Sequence, residues 1–325
     1  MKKLHKLLLA MLIILGLVAG CNSAPDESED KTNDATQTEE TEEAEEASHF
    51  PVTVEDGNGD ELTIEEEPEK IVSLMPSNTE IAFALGLDEK IVGVSDHDNY
   101  PEAALEKEKV GGIELNIELI LSLEPDLVFA HATNDMDGIE QLRESDIPVF
   151  VVNNAVTFDE VYDSIEMMSE ATGTVDEGEE IITEMKEGFT ELSEKAEAIS
   201  EEDMKTVYIE ISPEPEIYTP GMNTFEDEIL SLIRAENGAG DEEGWVMLNE
   251  EAVVEMNPDT IIVTYDYVED PVGEVMNRDA WQDIDAIKNE QVFQVDTDIV
   301  SRPGPRLVEG AEVLAKEIYP DVFGE

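Results

Sequence analysis

The sequence predicts an α/β protein of two similar lobes joined by one long helix, and three observations carry that prediction. A helix-to-strand unit occurs twice: Asn116-Ile-Glu118-Leu-Ile-Leu-Ser-Leu-Glu-Pro125-Asp126-Leu-Val-Phe aligns without a gap on Asn249-Glu-Glu251-Ala-Val-Val-Glu-Met-Asn-Pro258-Asp259-Thr-Ile-Ile. Around each copy, short apolar β-branched runs alternate with amphipathic stretches, the pattern of parallel sheets with helical crossovers. Between the copies, residues 177–199 carry Ile181, Ile182, Met185, Phe189, Leu192, Ala196 and Ile199 at helical spacing. At 1.5 Å per residue that helix is roughly 35 Å long, the length of a small lobe. It is a stiff spine, and lobes so joined close only through small angles.

The N-terminus is a leader. Lys2, Lys3 and Lys6 precede an apolar run over residues 7–18 that is short for a bilayer span, and Leu17-Val18-Ala19-Gly20-Cys21 ends it in small residues. Residues 1–20 therefore read as a cleaved lipoprotein signal peptide. Cys21, in what looks like a bacterial lipobox, is the expected site of lipidation and the mature N-terminus. The predicted address is extracytoplasmic, on the cell membrane through the lipid anchor alone. Because Cys21 is the only cysteine, internal disulfides and Cys-based metal clusters are excluded. Residues 21–50 form an acidic tether. From Asn22 to about Ser48 it has almost no large apolar side chain with which to offset ordering entropy.

Charge is the next signal. Eighteen Lys and Arg face 82 Asp and Glu, a formal charge of −64. Such a chain is a poor partner for nucleic acid or an anionic membrane surface. The acidity runs through the whole chain, repels itself at low ionic strength and is relieved by salt, as in a halophilic exterior. Acidic runs such as Glu65-Glu66-Glu67 are solvated decoration and mark no site.

The folded part opens with two strand-like runs between Val52 and Ile64, a hairpin. Asp56, Asn58, Asp60 and Glu67 match parts of a calcium-loop spacing, but Glu61 stands where the sharp-turn glycine is required. Alternating strands and helices then build an N-terminal lobe over residues 51–157. Its strands are expected at 71–74, 91–94, after Asp126 and at 148–152, with helices at 79–85 and 138–144. Linking helices fill residues 158–203: one over 158–171, then the long one. The C-terminal lobe, residues 204–325, begins with a strand at 206–211. It continues through the second repeat copy, a helix over 278–288, a strand at 292–295 and a last helix from 306 to 318 that stops at Pro320.

Each repeat copy puts a Glu in the first turn of its helix, Glu118 and Glu251. Matched carboxylates on matched lobes suit a two-fold symmetric partner, although helix-Pro-Asp-strand units also recur for purely architectural reasons. The sequence has no G-x-S-x-G elbow, no H-E-x-x-H pair, no P-loop and no catalytic cysteine. Ser95, Asp96 and His97 are adjacent, which is the wrong geometry for a triad. No enzymatic activity and no resident cofactor or metal is expected. A free zinc or manganese receptor would want more than the two histidines, His97 and His131, that lie well inside the folded region.

Several motifs in order carry a family resemblance: the lipobox, Ile71-Val-Ser-Leu-Met-Pro-Ser-Asn-Thr-Glu80, Gly93-Val-Ser, Asn116-Ile-Glu118 and the long helix. Tyr218-Thr-Pro-Gly221, Trp245, Asn249-Glu-Glu251 and Arg302-Pro-Gly-Pro-Arg306 complete it. The chain resembles the helix-linked (class III) substrate-binding lipoproteins of ABC importers for cobalamin, iron siderophores and haem, above all the cobalamin-binding members. The resemblance implies two Rossmann-like lobes with a ligand cleft between them, and a Glu atop each lobe, here Glu118 and Glu251, docking on an ABC permease dimer with its ATPase. It implies a large metal chelate as ligand, cobalamin or a related corrinoid, or alternatively a ferric siderophore or haem. Carried over position by position, His97, His131, Trp245, Asp298 and Arg302 are the expected ligand-binding residues. Gly112 stands where another tryptophan would be, so part of the aromatic wall is missing. The histidines could hydrogen-bond, stack or ligate metal, and Arg302 could meet the ligand or sit in a structural ion pair.

Overall fold

Chain order explains the layout of the protein, whose computed structural model describes residues 49–324. The hairpin β1 (Val52–Glu55) and β2 (Glu61–Ile64) is followed by β3 (Ile71–Ser73), α1 (Pro76–Ala84), β4 (Ile91–Val94) and β5 (Glu108–Lys109). Then come α2 (Ile117–Leu123), β6 (Leu127–His131), α3 (Met136–Arg143) and β7 (Val149–Val152). Strands β3 to β7 form a parallel sheet in the order β5-β4-β3-β6-β7. Two helices, α4 (Phe158–Thr172) and α5 (Val175–Ala196), carry the chain onward. Beyond them lie β8 (Thr206–Glu210), β9 (Ile217–Pro220), α6 (Phe225–Leu232), β10 (Glu236–Asn237), β11 (Trp245–Leu248), α7 (Glu250–Met256) and β12 (Thr260–Val263). Last are α8 (Pro271–Met276), α9 (Asp285–Lys288), β13 (Val292–Gln294), α10 (Thr297–Ser301), α11 (Leu307–Ile318) and α12 (Pro320–Phe323). The second parallel sheet runs β10-β8-β12-β13, and β9 pairs with β11 as a separate antiparallel ribbon.

The strand sequences dictate this arrangement. β6, β7 and β12 are buried at every position, as continuous apolar runs must be in parallel sheets covered on both faces. Alternation then sorts their side chains. Leu127 and Phe129 of β6 join Val207 and Ile209 of β8 in one core, while Val128 and Ala130 face a second core and Tyr208 a third. The first core is shared by both sheets, and α5 is its middle. Met185, Phe189, Leu192 and Ala196 on its buried stripe belong to that core, and Phe189 stacks on Phe158 of α4 at 4.1 Å. Burying a side chain such as Phe189 contributes about 2 kcal/mol. With 22 residues, α5 is about 33 Å long. A large hinge opening between the sheets would have to shear this continuous packing.

The internal repeat is a repeat of structure. Asn116 and Asn249 both cap their helices, accepting from Leu119 N–H at 3.1 Å and Ala252 N–H at 2.8 Å. Both helices end in a left-handed residue, Glu124 (φ 54°) and Asn257 (φ 46°). Asp126 and Asp259 each accept backbone N–H groups at the entry of the neighbouring strand: Asp126 from Glu69 and Lys70, Asp259 from Thr206. One carboxylate thus pins each Pro-Asp break to the first strand of its sheet.

Some boundaries differ from those read in the sequence. α1 begins at Pro76, three residues earlier than expected, because proline is suited to the first helical position. The helix expected over 278–288 is broken into a 3-10 turn, Asp279–Trp281, and α9, with Ile284 extended between them. Trp281 is fully buried there, and its packing overrides local helical periodicity. Pro320 does not end the fold but opens α12, again at a first helical position. The ribbon of β9 and β11, β10 and helices α6, α8 and α10 have no counterpart among the expected elements. The predicted signal peptide, Cys21 and all but the last two residues of the tether lie outside the described residues.

Candidate functional site

In a parallel sheet, the loops that leave the carboxyl ends of the strands are the ones free to build a site. Here the loop after β4 (His97, Asn99) meets the loop after β12 (Tyr265, Tyr267) and the short helix α10 that follows β13 (Asp298, with Arg302 at its end) around a cavity of about 690 Å³. His97, Asp298 and Arg302, three residues singled out in the sequence, thus share one cleft.

The His97 loop is held from below. Ser95 Oγ donates to buried Asp98 at 2.6 Å and accepts from His97 N–H at 3.2 Å, while Lys109 Nζ donates to the Asp98 carbonyl at 2.9 Å. Burial pushes the Asp98 carboxyl up, against the opposing pull of Ser95 and nearby Lys109. The exposed imidazole of His97 lies over Gly112, where an added Cβ would come within 2.7 Å of Nε2. The glycine at the position expected to hold an aromatic is therefore matched to the ring of His97, which fills that space.

Across the cleft, Tyr267 stands 70% exposed, its ring 5.5 Å from that of Tyr265. Tyr265 is fixed by a buried network. Its hydroxyl donates to Glu210 Oε1 at 2.7 Å, and Arg278 grips the same carboxylate through Nη1–Oε2 at 2.6 Å and Nη2–Oε1 at 2.7 Å. Arg278 also stacks on the Trp281 ring at 4.2 Å. Burial and the adjacent Glu210 push the Tyr265 hydroxyl well up, so it stays a donor. This fork geometry satisfies a fully buried charge pair and gives the Tyr265-Asp-Tyr267 loop a rigid base.

Arg302 is committed to the protein. Nη1 donates to Glu80 Oε1 at 2.5 Å and Asn99 Oδ1 at 3.0 Å, and Nη2 pairs with Asp298 Oδ1 at 2.7 Å. Arg306 meets the same Glu80 through Nε–Oε2 at 2.8 Å and Nη2–Oε1 at 2.6 Å, and stacks on Tyr100 at 3.8 Å. Asn99 Nδ2 donates to Asp298 Oδ2 at 2.6 Å. Glu80 rides on α1 beside the first sheet, whereas Arg302 and Arg306 follow the second, so this network spans the cleft.

His131 and Trp245 are not among the residues lining this cavity. His131, the last residue of β6, is only 4% exposed. Its Nδ1 lies 2.8 Å from Thr133 Oγ1 and accepts Thr133 N–H at 3.2 Å, and the ring also bonds the backbone at Asn153. Burial pushes its pKa down, so the ring sits neutral inside the first lobe. Trp245 opens β11 opposite Pro220 and is 38% exposed. It packs edge-on against Phe225 at 6.1 Å, and its indole N–H bonds the buried carboxyl of Glu226. Glu118 and Glu251 are both exposed, each at the second position of its helix, α2 and α7. Among the described residues no group of three His, Cys, Asp or Glu side chains is placed to hold a metal ion. No helix among them is long and apolar enough to cross a membrane.

Glu80, Asn99 and Tyr267 were not anticipated. Tyr267 had a signal: Thr264-Tyr-Asp-Tyr267 directly follows an apolar strand, where a sheet presents side chains to ligands. Glu80 had none, since its partners lie 222 and 226 residues away.

Residues 71–299 match a family described as periplasmic binding protein. The chain is 44% identical to an uncharacterized ABC transporter substrate-binding lipoprotein of Bacillus subtilis (strain 168), and the match covers 100% of both chains. Among solved structures, a possible iron-binding (periplasmic solute-binding) protein from Staphylococcus epidermidis is 32% identical with a TM-score of 0.71, covering 78% of this chain and 100% of that one. The periplasmic vitamin B12 binding protein of Vibrio cholerae is 29% identical with a TM-score of 0.65, covering 77% of this chain and 96% of that one.

Proposed function

The chain belongs to the periplasmic binding protein family, and from that premise we propose that it captures cobalamin or a related corrinoid and delivers it to an ABC permease. The observation that carries the ligand class is the cleft itself. Its walls offer tyrosines and an imidazole for a flat macrocycle, together with the amides of Asn99 and Gln294 for peripheral polar groups. At about 690 Å³ it lies in the range of small-molecule sites, and its open side leaves room for a bulky chelate to protrude. Binding is non-covalent and involves no turnover.

Delivery rests on Glu118 and Glu251. They stand exposed at equivalent positions of a structural repeat, with no ion pair among the described residues, and a permease dimer offers two equivalent basic sites to receive them. Charge pairs at such a rim steer and register the complex more than they tighten it. The lipid on Cys21 keeps the receptor at the cell membrane, and the acidic tether gives it reach.

A second reading, a ferric siderophore or haem, draws on the likeness to the possible iron-binding protein of Staphylococcus epidermidis. Anionic siderophores want free cationic side chains, and Arg302, the arginine lining the cleft, is engaged with Glu80 and Asp298. The test is calorimetry on residues 22–325 in high salt, titrated with cyanocobalamin, cobinamide, ferric siderophores and haem. Tight one-to-one corrinoid binding is expected. Binding confined to a ferric chelate or haem would replace the ligand and leave the receptor assignment standing.

A further inference from the structure

Among the described residues the cleft has almost no free positive charge, because Glu80 and Asp298 both engage its one arginine. No lysine lines the cavity, and its charged residues are Asp266, Asp296, Asp298 and Arg302. Arg302 is held between Glu80 and Asp298, with only 12% of its side chain exposed. Arg306, which lines a neighbouring pocket with Glu80 and Tyr100 and not the cavity itself, is closed onto the same carboxylate through two hydrogen bonds. The Glu80 side chain is 2% exposed and accepts from both guanidinium groups. With Glu80 and Asp298 against Arg302 and Arg306 the network is neutral, and Asp266 and Asp296 leave the cavity wall net negative.

We propose that Glu80 is the specificity-determining residue of the cleft: by locking Arg302 and Arg306 into a charge-neutral network across the lobes, it makes the site accept neutral or cationic metal chelates and reject anionic ones. This deepens the corrinoid reading and rests on it for the favoured ligand, although the charge rule applies to any chelate. Glu80 acts through the two arginines and need not touch the ligand. Selection by an unfavourable charge against the wrong ligand is a common route to specificity, and in a partly desolvated cleft it is far stronger than in bulk water.

Two pairs of probes, each of related shape and different charge, test the proposal: cyanocobalamin against cobyrinic acid with its free carboxylates, and a neutral ferric trihydroxamate against a trianionic ferric tris-catecholate. The wild-type protein is expected to bind the neutral member of whichever pair it accepts at least tenfold more tightly. That preference should narrow at 1 M salt, where the Debye length is about 3 Å. Glu80→Gln, which leaves both arginines without their shared counter-ion, should cut the preference at least tenfold by strengthening the anion. A purely structural role would weaken both members together and leave the ratio unchanged. Should Glu80→Gln fail to fold, Asp298→Asn carries the test, because it removes one cleft acid and keeps the Glu80 pairs; it should move the ratio the same way. Equal affinity for neutral and anionic members in the wild type, or an unchanged ratio in the folded variant, overturns the proposal. Loss of the corrinoid pair alone, with the siderophore pair obeying the charge rule, would overturn the corrinoid reading and uphold the role of Glu80. Failure of both pairs to bind would overturn both.

Discussion

Replacing Glu226 by Gln should shift stability in favour of the variant as pH rises from acid to alkaline. Glu226 sits in the first turn of α6, 1% exposed, with Oε2 finding no hydrogen-bond partner among the described residues. Burial pushes its carboxyl from the ordinary 4.5 up to about 7, offset only in part by its own N–H, the Trp245 indole and Thr224. Because the folded pKa is the higher one, the native state binds more protons than the unfolded chain between these values. Stability from this group is therefore greatest below pH 4.5, falls as pH rises through the window, and is flat above 7. The shift corresponds to about 3 kcal/mol at 1.36 kcal/mol per pH unit. Gln keeps an acceptor for the Trp245 indole and carries no charge to bury. Any constant cost of its extra N–H donors drops out when two pH values are compared. Urea denaturation of wild type and Glu226→Gln at pH 4.5 and pH 8, in constant high salt, should show the stability difference moving in favour of the variant by about 3 kcal/mol. Parallel pH dependences for the two proteins would refute the reasoning, for they would mean that Glu226 is solvated or paired in the native state.

Other expectations follow from the same geometry. Glu118→Ala combined with Glu251→Ala should abolish uptake in cells while calorimetry finds ligand binding intact; loss of binding in that double variant would sink the docking assignment. Arg278→Met strands the buried Glu210 carboxylate and should cost about 3–5 kcal/mol, read as an early urea midpoint. It should also loosen the Tyr265-Asp-Tyr267 loop and weaken ligand binding. Tyr267→Ala, at a position 70% exposed, should leave the urea midpoint within about 0.5 kcal/mol of wild type and weaken the ligand several-fold. A midpoint shift without an affinity change would place Tyr267 outside the site.

The site was legible where its chemistry is local. His97 and His131 were both expected from the family resemblance, and the fold separates them. His97 lies in the loop after β4 and lines the cavity, whereas one further fact governs His131. It is the last residue of its strand rather than a loop residue, so its ring turns inward to Thr133 and the Asn153 backbone. Trp245, expected at the ligand, is 38% exposed but outside the cavity lining, and its neighbours Phe225 and Glu226 became visible only when β11 folded back on β9.

By itself the sequence determined the repeated unit, the two parallel sheets, the long helix between them and the exposed pair Glu118 and Glu251. The signals behind them are local: an Asn cap, a Pro-Asp break, a β-branched run, a stripe at helical period; the pairing of the strands is not, since β3 meets β6 across more than fifty residues. Only the tertiary structure decided which charges cancel. Arg302 was open to either a ligand or an ion pair; the fold pairs it with Glu80, 222 residues away, while it still lines the cavity. In a chain with 82 acidic residues, composition supplies many possible partners for an arginine. Coulomb attraction selects among them by distance in space, which the order of residues does not encode.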